Sequence, residues 1–345
     1  MAAADQNART ERIRAFLLAN VARRPRELVR VAAARFRCSR QAMHRHVQRL
    51  VAEGALVAQG STRSRIYALA VLREWRRRWP LAGGTSEDEA WSAAIGPQLA
   101  DLGPNARGIW LYGFSELFNN AIDHSEGRSV TVGIRRTGAA TEMTLRDDGV
   151  GVFRKVQAAL RLPDERLAGL ELAKGKFTTD PKRHSGQGIF FAARMFDSFR
   201  MVAGNLELVR THGEPEQWFV RDGKPGKGTA ITLTLANGTS RTTRSVFDRF
   251  SSGEDYAFTT TCVPVRLLQT GADPLVSRSQ AKRLLARAES FQRVVLDFTG
   301  VADIGQAFAD EAFRVFPLHH PGTTIEATNA GPEVTRMMRR ALAGR

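Results

Sequence analysis

Residues 115–125 read SELFNNAIDHS, set between RGIWLYGF (107–114) and RSVTVGIRR (128–136). Leu117, Phe118, Ala121 and Ile122 recur at helical spacing and mark one face for a core. The same segment carries Glu116, Asn119, Asn120, Asp123 and His124. Glu116, Asn120 and Asp123 stand four and three residues apart, which aligns them along a second face of the helix. Polar side chains in that register face either solvent or a site, and Asn119 and His124 stand outside the aligned set.

Three more short motifs follow. TEMTLRDDGVGV (141–152) reads as an alternating strand ending in Asp147-Asp148-Gly149-Val150-Gly151. A carboxylate there can accept a hydrogen bond from an amine, and the glycines let the backbone pass close to a ligand. In RHSGQGIFFAARMF (183–196), Gly186-Gln187-Gly188 opens an apolar helix, and a glycine loop at a helix N-terminus suits a phosphate. GKPGKGTAITLTL (223–235) places Gly226, Gly228 and Thr229 just before an alternating strand.

Glu-x-x-x-Asn, Asp-x-Gly-x-Gly, Gly-x-Gly into a helix and Gly-x-Gly-Thr into a strand, in that order, resemble the GHKL ATPase superfamily. That superfamily includes gyrase, the histidine kinases and the anti-sigma-factor serine kinases, and the resemblance covers roughly residues 88–238. It implies a Bergerat-type α/β sandwich that binds ATP and Mg2+. Asn120 matches the asparagine that holds the magnesium, and Glu116 the acid that activates the attacking water. Asp123 matches an acidic position lining the pocket. Asp147 matches the aspartate that reads the adenine amino group, while Gly149 and Gly151 make room for the ring. Gly186 and Gly188 match the phosphate loop, and Thr229 the residue beside the adenine-reading aspartate. Residues 152–185 would form a lid over ATP, with Lys174, Lys176, Lys182 and Arg183 as candidate phosphate contacts. His184 stands where histidine kinases usually have another glycine, and no upstream hairpin carries a phospho-acceptor histidine, which argues against a histidine autokinase.

Charge sets the N-terminal region apart. Residues 1–80 hold 18 arginines, no lysine and five acids, a net +13 of the chain's +16, leaving +3 for the other 265 residues. Uneven charge of this kind points to a polyanion partner. TERIRAFLLANVARR has a helical period at Ile13, Phe16, Leu17 and Val21. PRELVRVAAARF begins with Pro25 at an expected first turn. Ser39 is placed as the N-cap of RQAMHRHVQRLVAEG, and ALVAQG and RIYAL follow as two short strands around a basic loop. Helix, helix, capped helix and basic hairpin resemble a winged helix-turn-helix domain. The resemblance implies DNA binding: Arg40, Gln41, His44, Arg45 and Gln48 on a recognition helix facing the major groove, with Arg63 and Arg65 on the wing.

Pro80, Gly83-Gly84 and the acidic stretch after Ser86 read as a linker over 73–87. Beyond about 244, strands at AFTTTC and RVVLDFTG alternate with helices near 277–290, 305–316 and 331–342, a small α/β layer. LDFTGVADIG (296–305) resembles the strand-loop-helix of STAS domains, the fold of anti-sigma-factor antagonists. Antagonists carry a phosphorylatable serine after the aspartate loop. Here Asp303 is followed by Ile304-Gly305-Gln306, with no hydroxyl, so the domain reads as an interaction or coupling module.

The whole is a multidomain α/β and α+β chain: winged helix domain 1–72, linker 73–87, ATP-binding domain 88–240 and STAS-like domain 244–345. With 43% hydrophobic and 25% charged residues it has the composition of a globular protein. No apolar run approaches the ~18 residues of a membrane span, and the N-terminus lacks the pattern of a signal peptide. Cys38 and Cys262 match neither a disulfide framework nor a metal spacing, and a reducing cytoplasm is the simplest home expected. The function expected is an ATP-binding, slowly hydrolysing, DNA-binding regulator, with a protein partner through the STAS-like domain and a homodimer both compatible with it. The alternative is a serine/threonine kinase of the anti-sigma-factor type.

Overall fold

In the computed structural model, described for residues 2–61, 64–84, 86–178, 185–253, 257–269 and 274–343, the N-terminal residues fold around a core of their own. Helices α1 (Ala2–Asn20), α2 (Leu28–Phe36) and α3 (Arg40–Ala52) precede an antiparallel hairpin, β1 (Leu56–Gln59) with β2 (Ile66–Leu69). Ile13, Leu17 and Val21 are buried against Leu28, Ala32, Met43, Val47 and Leu50. The Ser39 hydroxyl accepts from the Ala42 amide at 3.1 Å and starts α3, as expected. Helix α2 begins at Leu28 rather than at Pro25, whose carbonyl accepts from the Tyr67 amide at 3.2 Å and ties the helices to the hairpin.

Only Ala70 separates β2 from β3 (Val71–Pro80), and β3 is the edge of a five-stranded antiparallel sheet. The expected linker over 73–87 is thus corrected: most of its first half is a paired strand. Trp75 and Trp79, two strand steps apart, both pack on the core, and Trp79 stands edge-on to Phe118 at 5.7 Å. Arginines between the tryptophans disguised the alternation.

After β3 come α4 (Glu87–Ala90), a π-helical turn (Trp91–Ile95), α5 (Gly96–Gln98) and the long α6 (Pro104–His124). Then follow β4 (Ser129–Thr137), β5 (Ala140–Asp147), α7 (Val152–Leu160), α8 (Leu167–Lys174), α9 (Gly188–Met195), β6 (Ser198–Thr211) and β7 (Gln217–Ala236). The sheet order is β3-β4-β5-β7-β6. Val130, Val132, Met143, Leu145, Leu233 and Met201 are buried against the helices. Alternate positions Thr131, Thr144, Thr232 and Thr234 are half-buried on the other face. The turn between β4 and β5 reaches back to the N-terminal unit, where Ala139 packs on its core.

The last segment runs α10 (Thr243–Phe247), β8 (Ser251–Ser252), β9 (Ala257–Phe258), β10 (Thr260–Pro264), α11 (Arg278–Leu285), β11 (Arg293–Asp297), α12 (Gln306–Asp310), α13 (Phe316–His319), β12 (Thr324–Thr328) and α14 (Pro332–Ala343). Strands β10, β11 and β12 pair in parallel in that order, as expected of strands joined by helical crossovers. This unit shares one continuous hydrophobic core with the sheet domain. Phe190 and Phe191 of α9 join Phe247, Phe250 and Phe258, with ring centroids 4.4–6.3 Å apart.

The lid expected over 152–185 is also corrected in part. Ala168 through Lys174 of α8 are all buried, and the helix packs against β10. Residues 179–184, which include Lys182, Arg183 and His184, lie outside the described residues. Among the described residues no helix is long and apolar enough to cross a membrane.

Candidate nucleotide-binding site

The C-terminal half of α6 forms one wall of a cavity of about 310 Å3. Glu116 and Asn120 line it together with Asp147 at the end of β5, Gly151 ahead of α7, Gly186 ahead of α9, Gly188 at its first position, and Thr229 of β7. Residues far apart in the chain meet here because β5 and β7 are neighbours in the sheet and α6 and α9 both cover it. Val152, Val156, Leu172, Met201 and Ile231 supply apolar walls.

Asp147 is buried, and its Oδ1 accepts from the Gly149 amide at 2.9 Å and the Thr229 amide at 3.1 Å. Among the described residues no hydrogen bond is made to its Oδ2, so one carboxylate oxygen remains for a ligand donor in the cavity. Burial pushes the Asp147 carboxyl above the usual range, and the two amide donors pull it partly back. Thr229 Oγ1 accepts from the Val152 amide at 3.1 Å and so fixes the start of α7 against β7. Asp148 does different work: its carboxylate takes the Ser129 and Arg128 amides at 3.0 and 2.7 Å, and these bonds hold it down to about 2.

The Glu116 carboxylate, also in the cavity wall, lies against the start of α9, so close that a Cβ at Gly188 would overlap it. Gly186 has φ +69°, and a Cβ there would meet the Phe177 backbone at 2.6 Å. The amide nitrogen of Asn120 is buried and lacks a hydrogen-bond partner. An unsatisfied buried amide beside a carboxylate fits a site completed by phosphate oxygens and a hydrated cation. No group of three or more His, Cys, Asp or Glu side chains able to hold a metal occurs among the described residues. Magnesium suits such a place, because it keeps several waters and is bound through one or two protein oxygens plus phosphates. Asn120, with Glu116 beside it, would be the protein's share of that shell.

Four of the expected site residues that the structure describes, Asp123, Gly149, Lys174 and Lys176, are not in the cavity wall. Asp123 is off it, and Asn119 and His124 are on it instead. The cavity follows the rows of every fourth residue, 116–120–124 and 117–121–125, and the row of every third residue leaves it before Asp123. Gly149 makes room for backbone rather than for a ligand, since a Cβ there would overlap the Ser125 carbonyl. Lys174 is turned away altogether: its ammonium donates to Glu171 at 2.7 Å and to the carbonyls of Arg283 and Ala286 at 3.1 and 3.0 Å. Lys176 likewise donates to the Ser290 carbonyl at 2.6 Å. Lys155 was missed. It lines the cavity one helical turn beyond Gly151 and donates to the His124 carbonyl at 2.6 Å and to Glu126 at 2.8 Å. Its place four residues after the Asp-x-Gly-x-Gly motif was the available signal.

On α3, Arg40, Gln41, Arg45 and Gln48 are exposed and His44 is half-buried. Arg65 is exposed just before β2, and Arg63 lies outside the described residues.

Residues 112–239 match the family model described as histidine kinase-, DNA gyrase B-, and HSP90-like ATPase. Residues 280–335 match that of a STAS-like domain of unknown function, DUF4325. No curated protein matches the chain. The chain therefore carries a GHKL-type ATPase domain followed by a C-terminal STAS-like domain.

Proposed function

We propose that this protein is a DNA-binding regulator whose DNA or partner affinity is set by bound ATP or ADP. ATP enters with its adenine amine toward Asp147 and its phosphates toward Gly186, Gly188 and Asn120. Magnesium, when bound, neutralises phosphate charge beside Asn120. Glu116 holds an attacking water and takes its proton, which resets the protein slowly. The N-terminal unit acts as a winged helix, with α3 in the major groove and Arg65 beside the backbone.

The observation that carries this reading is chain continuity: β2 of the hairpin leads through Ala70 into β3, the edge of the sheet that holds Asp147. With Ala139 packed on the N-terminal core, a shift of the sheet is felt by the hairpin. DNA retention measured with no nucleotide, with ADP and with a non-hydrolysable ATP analogue at fixed salt tests it. A difference that disappears in Asp147→Asn supports the coupling; equal retention in all three states sinks it.

The STAS-like domain favours a second reading, a serine/threonine kinase acting on a partner protein. Transfer of the terminal phosphate to protein serine or threonine would establish that reading over the first, and free phosphate alone would rule it out. A protein partner through the STAS-like domain, a homodimer and a cytoplasmic home belong to the proposal on the same footing.

A further inference from the structure

Lys174 and Glu171 are 2% and 3% exposed, yet both are ionisable, and burying charge in a joint is costly unless every group is matched. The matching is supplied across the domain boundary. One Glu171 oxygen takes Lys174 at 2.7 Å, and the other takes Arg287 of the STAS-like domain at 2.8 Å. The Arg287 guanidinium also donates to two backbone carbonyls, Gly175 at 3.1 Å and Lys176 at 2.5 Å. Gly175 and Lys176 both have positive φ, +83° and +53°, so the chain bends through backbone conformations that favour glycine at the point where it is held. Arg287 itself has φ +66°, a region that favours glycine. Thr261 adds a hydroxyl bond to the Lys174 carbonyl at 2.7 Å.

What this turn delivers is the cavity wall. Phe177 and Thr178, the next residues, line the cavity, and the Gly186 loop rests on the Phe177 backbone. From the guanidinium to the glycine loop the path is thus two held carbonyls and one residue of backbone. Asp147 lines the same cavity but is held by the Gly149 and Thr229 amides, not by this turn.

We infer that Arg287 is a positioning residue for the phosphate end of the nucleotide cavity, acting through the Gly175–Thr178 backbone, so that the STAS-like domain is a working part of the ATP site. The inference rests on the nucleotide reading of the cavity. A planar guanidinium is what the geometry needs at this position, because one nitrogen of the fork meets the Glu171 carboxylate while the other reaches the Gly175 and Lys176 carbonyls, a fixed spread that a lysine ammonium at 287 does not reproduce. Linkage follows: a partner that draws Arg287 off the turn lowers ATP affinity, and ATP opposes that partner by the same factor.

The test uses the full chain as Arg287→Ala and Arg287→Lys, titrated calorimetrically with adenosine, ADP and a non-hydrolysable ATP analogue in magnesium. Expected are unchanged adenosine affinity, a loss of about tenfold for the ATP analogue, and partial recovery of Arg287→Ala by millimolar guanidinium. Should the alanine variant not fold, Arg287→Lys, which keeps a cation for Glu171, is expected to show the same split between adenosine and ATP. Equal losses for adenosine and ATP would mean a packing role and overturn the inference, as would unchanged affinity for both. Failure of the unaltered protein to bind ATP would instead overturn the nucleotide reading.

Discussion

Glu171 of the ATPase domain and Arg287 of the STAS-like domain meet at 2.8 Å, and the Glu171 carboxylate is shared with Lys174. Such a cluster adds little net stability when complete, but it is severe when broken, because a buried charge is left unmatched. Glu171→Gln strips the anion from the buried Lys174 and the half-buried Arg287 and is expected to cost about 3 kcal/mol. The ATPase and STAS-like domains share one core, so the loss should appear in a single joint calorimetric transition, with the N-terminal unit melting separately. Separate transitions for the ATPase and STAS-like domains would refute this.

Asp147→Asn should weaken nucleotide binding for a specific reason. The Gly149 and Thr229 amides fix Oδ1, so the new amide nitrogen must face the cavity and present a donor to an adenine donor. A buried donor left without an acceptor weakens binding by roughly ten- to a hundredfold. Equilibrium binding of an ATP analogue checks it, and wild-type affinity in the variant would remove Asp147 from the adenine site.

The neighbouring carboxylates Asp147 and Asp148 should separate on acidification. Burial raises Asp147 in the folded protein, so it takes up a proton earlier than an exposed aspartate and nucleotide affinity falls first. Because the folded pKa is the higher one, ionising Asp147 costs stability as pH rises through that window. Asp148 is held to about 2, below its unfolded value, so its stabilisation is complete above the ordinary aspartate range and fades as pH falls toward about 2. Nucleotide titrations and thermal melts from pH 7 downward should therefore show affinity lost well before the Asp148 contribution to stability.

These contrasts bear on what could be read from the chain alone. The site was legible where local pattern and chemistry agree: Glu116 and Asn120 one turn apart on α6, and glycines where side chains would overlap Glu116 or the Phe177 backbone. Parts set by tertiary partners were not. Strand β3 looked like a basic linker because an edge strand tolerates exposed arginines on both sides of its tryptophans. Helix α8 reads as part of a polar lid because the two carbonyls that hold Lys174 outside its own helix lie more than a hundred residues away. Helical spacing alone favours Asp123 over Asn119 and His124, because it does not say which row of the helix the cavity follows.

Glu116 and Gly188 provide a way to split binding from chemistry. Glu116→Gln keeps the size and polarity of the side chain but removes the base, so phosphate release should fall by about a hundredfold or more while affinity for an ATP analogue holds. Gly188→Ala forces the Glu116 carboxylate aside and should lower phosphate release with adenosine binding intact. Single-turnover phosphate release beside equilibrium binding distinguishes the two effects. Unchanged release in Glu116→Gln would take the catalytic role from Glu116.

The N-terminal arginines allow a separation of reading from holding. Arg40 and Arg45 are exposed on α3, whereas Arg76 and Arg78 are exposed on β3, in the strand that continues from the hairpin. If α3 enters the groove, replacing Arg40 and Arg45 by glutamine should flatten the preference among DNA sequences. A duplex lying along the hairpin would continue past β3, where Arg76 and Arg78 meet only phosphates. Replacing those two by glutamine should leave sequence preference alone and reduce the slope of log K against log salt by about 0.9 per lost contact. The contrast guards against a trivial result, since removing positive charge anywhere weakens binding somewhat. Identical effects of both pairs on preference and slope would show that α3 does not read bases.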